Sequence, residues 1–170
     1  MTETNGSVEE KIALEHQAAK LFMRHYEQEH GQRMRHIWHN EPKKPDVSCR
    51  LNGERLDLEI AHLYGSEEEA MLILGRQLTD QTRKALIDLQ HVSFDARLLN
   101  ALNRILRQKA EKTYESDHVW LVIRNAHPAW SRTQIEALQH HIAVPEHHPF
   151  EEIWMVTDWE GLGGIVRLYP

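Results

Sequence analysis

Asp46 and Glu59 are the residues best placed by type and spacing to do chemistry. They flank Asn52-Gly53, a dipeptide that favours a two-residue type I′ β-turn because both central positions need positive φ. A two-residue loop fixes the register of the hairpin on either side. Leu51 then opposes Glu54, Arg50 opposes Arg55, Ser48 opposes Asp57 and Asp46 opposes Glu59. Opposed Cβ atoms in such a ladder lie about 4.5–5.5 Å apart, and like charges placed there repel. Asp57 is within diagonal reach and adds a third carboxylate. A divalent cation would offset this charge, because Mg²⁺ commonly takes one or two carboxylates together with water and a substrate phosphate. The alternative is a solvated polar face on which Arg50 and Arg55 screen the acids.

Two further residues break the pattern of the helices that carry them. Val8, Ile12, Ala19, Phe22 and Tyr26 recur at helical spacing, and Glu15 falls on the same stripe. A glutamate facing a core needs a cation, a metal or a hydrogen-bond network; the other reading puts it at the stripe's edge, reaching solvent. Leu98, Leu102 and Ile105 form a second stripe that Lys109 and Lys112 continue. An inward lysine can steady a transition-state phosphate or orient a nucleophilic water. The other reading has both snorkelling past the end of the core, which is the one expected for Lys112. Arg97, Arg104 and Arg107 on this helix can add positive charge beside a phosphate backbone.

The elements that must position these groups are legible along the chain. Ser7-Val8-Glu9-Glu10 forms a capping box opening a helix that should end at Gly31. Arg33 to His39 reads as a short strand, and the Pro-bounded segment 41–45 breaks regular structure. The hairpin of 46–62 places Val47, Cys49, Leu51, Leu56, Leu58 and Ile60 on a core face, with Asp46, Ser48, Arg50, Arg55, Asp57 and Glu59 on the other. Helices are expected from Ser66 to about His91 and from Ser93 to about Tyr114. Val119 to Ile123 suits a buried central strand. Ser131 caps a helix carrying Ile135, Leu138 and Ile142, and Ile153–Val156 and Ile165–Tyr169 read as strands joined through Gly161–Gly164. This order gives an α/β sandwich with a mixed sheet.

The 170 residues favour a single domain spanning 1–170. Apolar residues are 41% and charged residues 27%, an ordinary globular composition. No apolar run reaches the roughly 18–20 residues of a membrane span, the N-terminus lacks a secretory pattern, and the one cysteine, Cys49, excludes an internal disulfide. A cytoplasmic location, away from membranes, is expected. The net charge of −6 argues against a surface that is basic throughout, but allows a local basic groove. Thirteen histidines are scattered without an HExxH pair; the group His140, His141, His147 and His148 reads as solvated surface. Trp154 is expected in the core, while Trp130 and Trp159 are open between core, interface and base stacking.

Pro45-Asp46, the hairpin, and then Leu58-Glu59-Ile60-Ala61 resemble the motif of the PD-(D/E)XK nuclease superfamily. The resemblance implies a restriction-endonuclease-like three-layer sandwich, with a mixed central β-sheet flanked by helices. It implies a metal-dependent endonuclease in which Asp46 and Glu59 hold Mg²⁺ or Mn²⁺, joined by the Ile60 carbonyl and by Glu15 from the first helix. The implied partner is nucleic acid, DNA in preference to RNA, with a homodimer as the arrangement such nucleases often use to cut both strands. Ala61 stands where the family has a lysine. In branches with a small residue there, a lysine from the following long helix takes over, so the resemblance implies Lys109, or in second place Lys112, as the catalytic lysine. A relative that keeps the fold but only binds nucleic acid or protein is the competing expectation. A structural domain that never meets nucleic acid is the third.

Overall fold

The computed structural model describes residues 2–40, 45–64, 94–128 and 130–170, with side chains from residue 8 and, after the gap, from residue 96. The expected helix from Ser66 to His91, the Ser93 cap and most of the segment 41–45 lie outside the described residues.

Helix α1 covers Thr2–His30. It starts upstream of the Ser7–Glu10 box, since no proline interrupts it there and Gly6 alone weakens it by only about 1 kcal/mol. It ends as its sequence predicts: Gly31 adopts φ 66° and its N–H bonds the Glu27 carbonyl at 2.9 Å, a left-handed C-terminal cap. Strands β1 (Met34–His39), β2 (Val47–Leu51) and β3 (Glu54–Leu63) follow as an antiparallel meander. Asn52 and Gly53 have φ 52° and 88°, the conformation the type I′ turn requires. The hairpin register matches the sequence reading from Leu51↔Glu54 through Ser48↔Asp57 to Val47↔Leu58.

Helix α2 (Phe94–Ala110) precedes β4 (Val119–Asn125), which pairs parallel to β3, with Glu59 beside Leu121. A short helix α3 (Arg132–Ala137) leads to β5 (Glu152–Val156), parallel to β4, and β6 (Ile165–Tyr169) closes the order antiparallel to β5. The Ser131–Gln134 capping box is formed, but α3 stops at Ala137 and gives way to a 3₁₀ turn at Gln139–His141, so Ile142 lies beyond the expected helix. The architecture is α/β, with a six-stranded mixed sheet ordered β1-β2-β3-β4-β5-β6.

Two cores cover the two faces of this sheet. On one, Ala18, Ala19, Phe22, Met23 and Tyr26 of α1 pack on Val47, Cys49, Leu56, Leu58, Ile60, Trp120, Val122 and Trp154. On the other, Leu98, Ala101, Leu102 and Leu106 of α2, with Ile135 of α3, pack on Ala61, Leu63, Leu121, Ile123 and Met155. Every residue of β4 is buried, as a parallel strand with both faces covered should be. Trp154 and also Trp130 are core residues. The apolar stripe of α1 starts later than expected, because Val8 is 52% exposed.

The hairpin's second face departs from the simple alternation of core and solvent. Ser48, Asp57 and Glu59 are buried, since β4 flanks β3 and α2 lies over this side; only Arg50 and Arg55 at the tip are exposed. Asp57 and Glu59 are therefore not on a solvated face, although Arg55 does pair with Asp57 as that reading expects; Asp46 is half-buried. The first core has an aromatic centre: the Phe22 ring lies 5.7 Å from Tyr26 and from Trp154, and 6.2 Å from Trp120. Phe22→Ala should lower folding stability by about 3–5 kcal/mol, measured by chemical denaturation. A loss below about 1 kcal/mol would show that α1 contributes little to holding the sheet.

Candidate active site: a carboxylate pair beneath two lysines

Asp46 sits one residue before β2, at the position the hairpin register sets opposite Glu59. Its carboxylate accepts the Ile60 N–H at 2.9 Å, and its own N–H approaches Glu59 Oε1 at 3.4 Å. Ile60 thus enters the site through its amide hydrogen. Glu59 points to the α2 side of the sheet, with its side chain 3% exposed. Three donors converge on its Oε2: Lys109 Nζ at 3.3 Å, Lys112 Nζ at 3.5 Å, and the Tyr114 hydroxyl, which donates a short hydrogen bond.

Chain geometry brings these donors together. α2 ends at Ala110 rather than near Tyr114, and the Lys112 N–H closes a tighter turn onto the Lys109 carbonyl at 3.2 Å. Had the helix continued, Lys109 and Lys112 would still share a face, but Tyr114 would be rotated well away from both. The early stop lets Tyr114 fold back onto Glu59. Lys109 is largely buried, whereas Lys112 lays a half-exposed stem along the surface and still reaches the acid. The snorkelling expected of Lys112 thus accounts for its stem but not for where its amine ends.

The pair shares its charge unequally. Burial, followed by the hydrogen bond and negative charge of Glu59, pushes Asp46 up to about 8. Burial acts on Glu59 in the same direction, but the hydrogen bond from Asp46, the Lys109 charge, the Tyr114 hydroxyl and the Lys112 charge outweigh it and hold Glu59 below its usual value. Burial lowers Lys109, with Glu59 opposing and Lys112 adding to the fall; Tyr114 is raised by burial and by Glu59. Asp46 thus holds its proton to higher pH than an ordinary carboxyl, while Glu59 beside it stays ionised to lower pH next to the Lys109 and Lys112 amines.

Glu15 is buried, as its place on the α1 stripe suggested. Its immediate partners are His39 Nε2 at 3.2 Å and, across one helical turn, Lys11 Nζ at 3.8 Å. Its charge nevertheless contributes to raising Asp46. A cavity of about 390 Å³ adjoins the pair; Glu15, Ile60, Ala61, His62, Ile105 and Lys109 are among its lining residues. His62 Nε2 is buried without a hydrogen-bond partner among the described residues, and burial, Arg124 and Lys109 lower this imidazole to about 4. Asp57 belongs to a separate network: it accepts from Ser48 and, at 2.9 Å, from Arg55 Nε. On α2, Arg104 and Arg107 are exposed, but Arg97 is buried and presents no charge to a ligand at the surface.

No family model, curated protein or solved structure matches this chain.

The pair's oxygen donors suit a hard cation such as Mg²⁺ or Mn²⁺, which can be held by two carboxylates with the rest of its shell from water and substrate. A cage built wholly of protein is not available: among the described residues no three or more His, Cys, Asp or Glu side chains gather into a metal-holding group. His140, His141 and His147 are exposed. The residues missed from sequence are Tyr114 and His39. Thr113-Tyr114, with weak helix propensity, followed by Ser116-Asp117, turn formers, was the signal that α2 could end early; nothing marked His39 as the partner of Glu15.

The raised Asp46 gives a pH-dependent stability. The unfolded carboxyl loses its proton near 3.8 and the folded one near 8, so between these values the native state binds more protons and stability falls as pH rises. Asp46→Asn keeps the acceptor for Ile60 and mimics the protonated carboxyl toward Glu59. In chelator-treated protein its thermal midpoint should gain on the wild type as pH climbs through that window. A difference that stays flat would show Asp46 titrating as an ordinary carboxylate.

Proposed function

We propose that the chain is a metal-dependent nuclease of the restriction-endonuclease-like fold, hydrolysing phosphodiester bonds of nucleic acid, DNA in preference to RNA, at Asp46 and Glu59. The observation that carries this reading is the convergence of a carboxylate pair, Glu59 buried and Asp46 half-buried, with Lys109 on one side of a parallel strand. The order of helix, antiparallel meander, helix and parallel strand supports it, because the Pro45-Asp46 and Leu58-Glu59-Ile60-Ala61 segments then occupy the places that the resemblance assigns to them.

Asp46 and Glu59 would hold Mg²⁺ or Mn²⁺, with the Ile60 carbonyl and Glu15, directly or through water, as further contributors. Such a cation, when bound, makes a coordinated water more acidic and offsets charge on the scissile phosphate. The cation would replace the Asp46 proton and leave both carboxylates ionised. Lys109, whose amine lies against Glu59, would position the attacking water or stabilise charge on the phosphate, the role left vacant by Ala61. Lys112 and Tyr114 would orient Glu59. Pairing of two copies to cut both strands of a duplex is part of the same reading.

A second reading has its own support. The Glu59 Oε2 already receives three donors, and Ala61 carries no functional group, so the pair can be a neutralised structural element in a module that binds nucleic acid or protein without cutting. The two readings separate in one assay series: single-stranded DNA, duplex DNA and RNA, each with Mg²⁺ or Mn²⁺ and with chelator. Cleavage should require the metal, disappear in Asp46→Ala and Glu59→Ala with the fold intact, and drop roughly a hundredfold or more in Lys109→Ala without loss of metal affinity. Cleavage persisting in both acid variants sinks the site; binding without cleavage in the wild type favours the second reading.

A further inference from the structure

A basic cleft lies at the hairpin tip, away from the carboxylate pair. Arg33, Arg35, His36, Arg50, Asn52 and Gly53 line about 430 Å³ there, with no acidic residue among them. In a chain of net charge −6, a cleft lined by three arginines is a local reversal of sign. Arg35 is tied to Glu27 at 2.5 Å. Among the described residues Arg50 donates only to the Gly53 carbonyl, at 3.1 Å, and the Arg33 guanidinium has no hydrogen-bond or ion-pair partner. Both are exposed, so their charge is available to a ligand.

The backbone is shaped to extend this cleft along the sheet. Arg35 pairs with Arg50, and Trp38 with Ser48, so β1 spends three residues where β2 spends two. The extra residue is a β-bulge, and His36 within it is held at φ 57°, a conformation few non-glycine residues adopt. Without the bulge, Trp38 would point to the face opposite Arg35, since side chains alternate. With it, Arg35, Trp38, Arg50 and Arg55 share one face. The Arg50 and Arg55 guanidinium groups lie 5.9 and 5.7 Å from the Trp38 ring centroid, within cation–π range. The same face carries Asp46, four residues from Arg50 along the hairpin, which is about 13 Å at strand rise.

We infer that this arginine cleft and the Trp38 ledge beside it bind the phosphodiester backbone of a nucleic-acid strand and lead it toward Asp46 and Glu59. The inference rests on the nuclease reading only for the direction in which the strand runs; the cleft itself stands on its charge and shape. Guanidinium groups suit phosphate because their planar donor fork can bond two oxygens at once, and an aromatic flanked by cations is the pairing that strand-binding surfaces use to hold bases as well as phosphates.

The test is binding of fluorescently labelled single-stranded DNA, RNA and duplex DNA to the full chain in chelator, followed by anisotropy across about 50 to 200 mM salt. The Arg33→Gln/Arg50→Gln double variant should bind about tenfold more weakly, with a shallower salt dependence by roughly one to two ions. A charge-matched control, Lys20→Gln/Arg24→Gln on the exposed side of α1, should bind as wild type does. Which probe binds most tightly identifies the strand state. Equal loss in the control, no loss in the arginine variant, no binding by the wild type, or competition by polyglutamate as strong as by unlabelled DNA would each overturn the cleft. Arginine-dependent binding with no cleavage in Mg²⁺ would instead count against the nuclease reading and leave the cleft standing.

Discussion

Two carboxylates held face to face by a turn they cannot escape are the constraint around which this end of the molecule is organised. Asn52-Gly53 sets the register, and the register sets Asp46 against Glu59. Two ionised groups about 4–5 Å apart at an effective dielectric constant near 20 repel by roughly 3–4 kcal/mol, a large fraction of what keeps a domain folded. The protein meets this in two ways visible in the structure. A proton stays on Asp46 well above its ordinary range, and donors gather on Glu59 from a different element. Both devices do the same physical task, which is to offset the repulsion between two carboxylates that the backbone holds together.

The surrounding architecture follows from keeping that pair buried yet reachable. β3 lies inside the sheet, between β2 and the parallel β4, so Glu59 cannot turn to solvent on either strand's side. α2 closes the remaining face with Leu98, Leu102 and Leu106, then stops at Ala110 so that Lys109 from its last turn and Lys112 and Tyr114 from beyond it all reach the acid. One more helical turn would have kept the two lysines and lost the hydroxyl. The position of the helix end, rather than the composition of the helix, decides the third partner of Glu59.

Much of this was legible in the sequence because it depended on local chemistry with few alternatives. The Asn-Gly turn allows one register, Gly31 allows one helix end, and the β-branched run at Val119 suits only a buried strand. Glu15 and Lys109 stood out by occupying apolar stripes, and both are buried or nearly so. The failures lie where tertiary partners decide. Alternation along the hairpin put Ser48, Asp57 and Glu59 on one shared face but left open whether that face was solvated; a strand's faces are named by what packs on them, and β4 with α2 made this one an interior. The bulge in β1 was equally hidden, since no residue in Arg35-His36-Ile37-Trp38 demands an extra pairing position. It is the opposed β2 that reveals it.

Ala61 links the two halves of the problem. A lysine there would project from β3 on the same face as Glu59, two residues on, into the space where Lys109 now arrives and where Ala61 lines the cavity with Ile105 and His62. Two ammonium groups at that spot would repel one another as Lys109 and Lys112 already do, and burial would drive one of them toward neutrality. A small residue at 61 and a cation delivered from α2 are therefore a single arrangement. In this chain the strand carries no charge at 61, the helix brings one from Lys109, and the small Ala61 leaves room for the cavity that it lines. His62 lines the same cavity, and among the described residues its buried Nε2 has no hydrogen-bond partner. A group entering the cavity would meet it there, next to the pair and on the side that Lys109 guards.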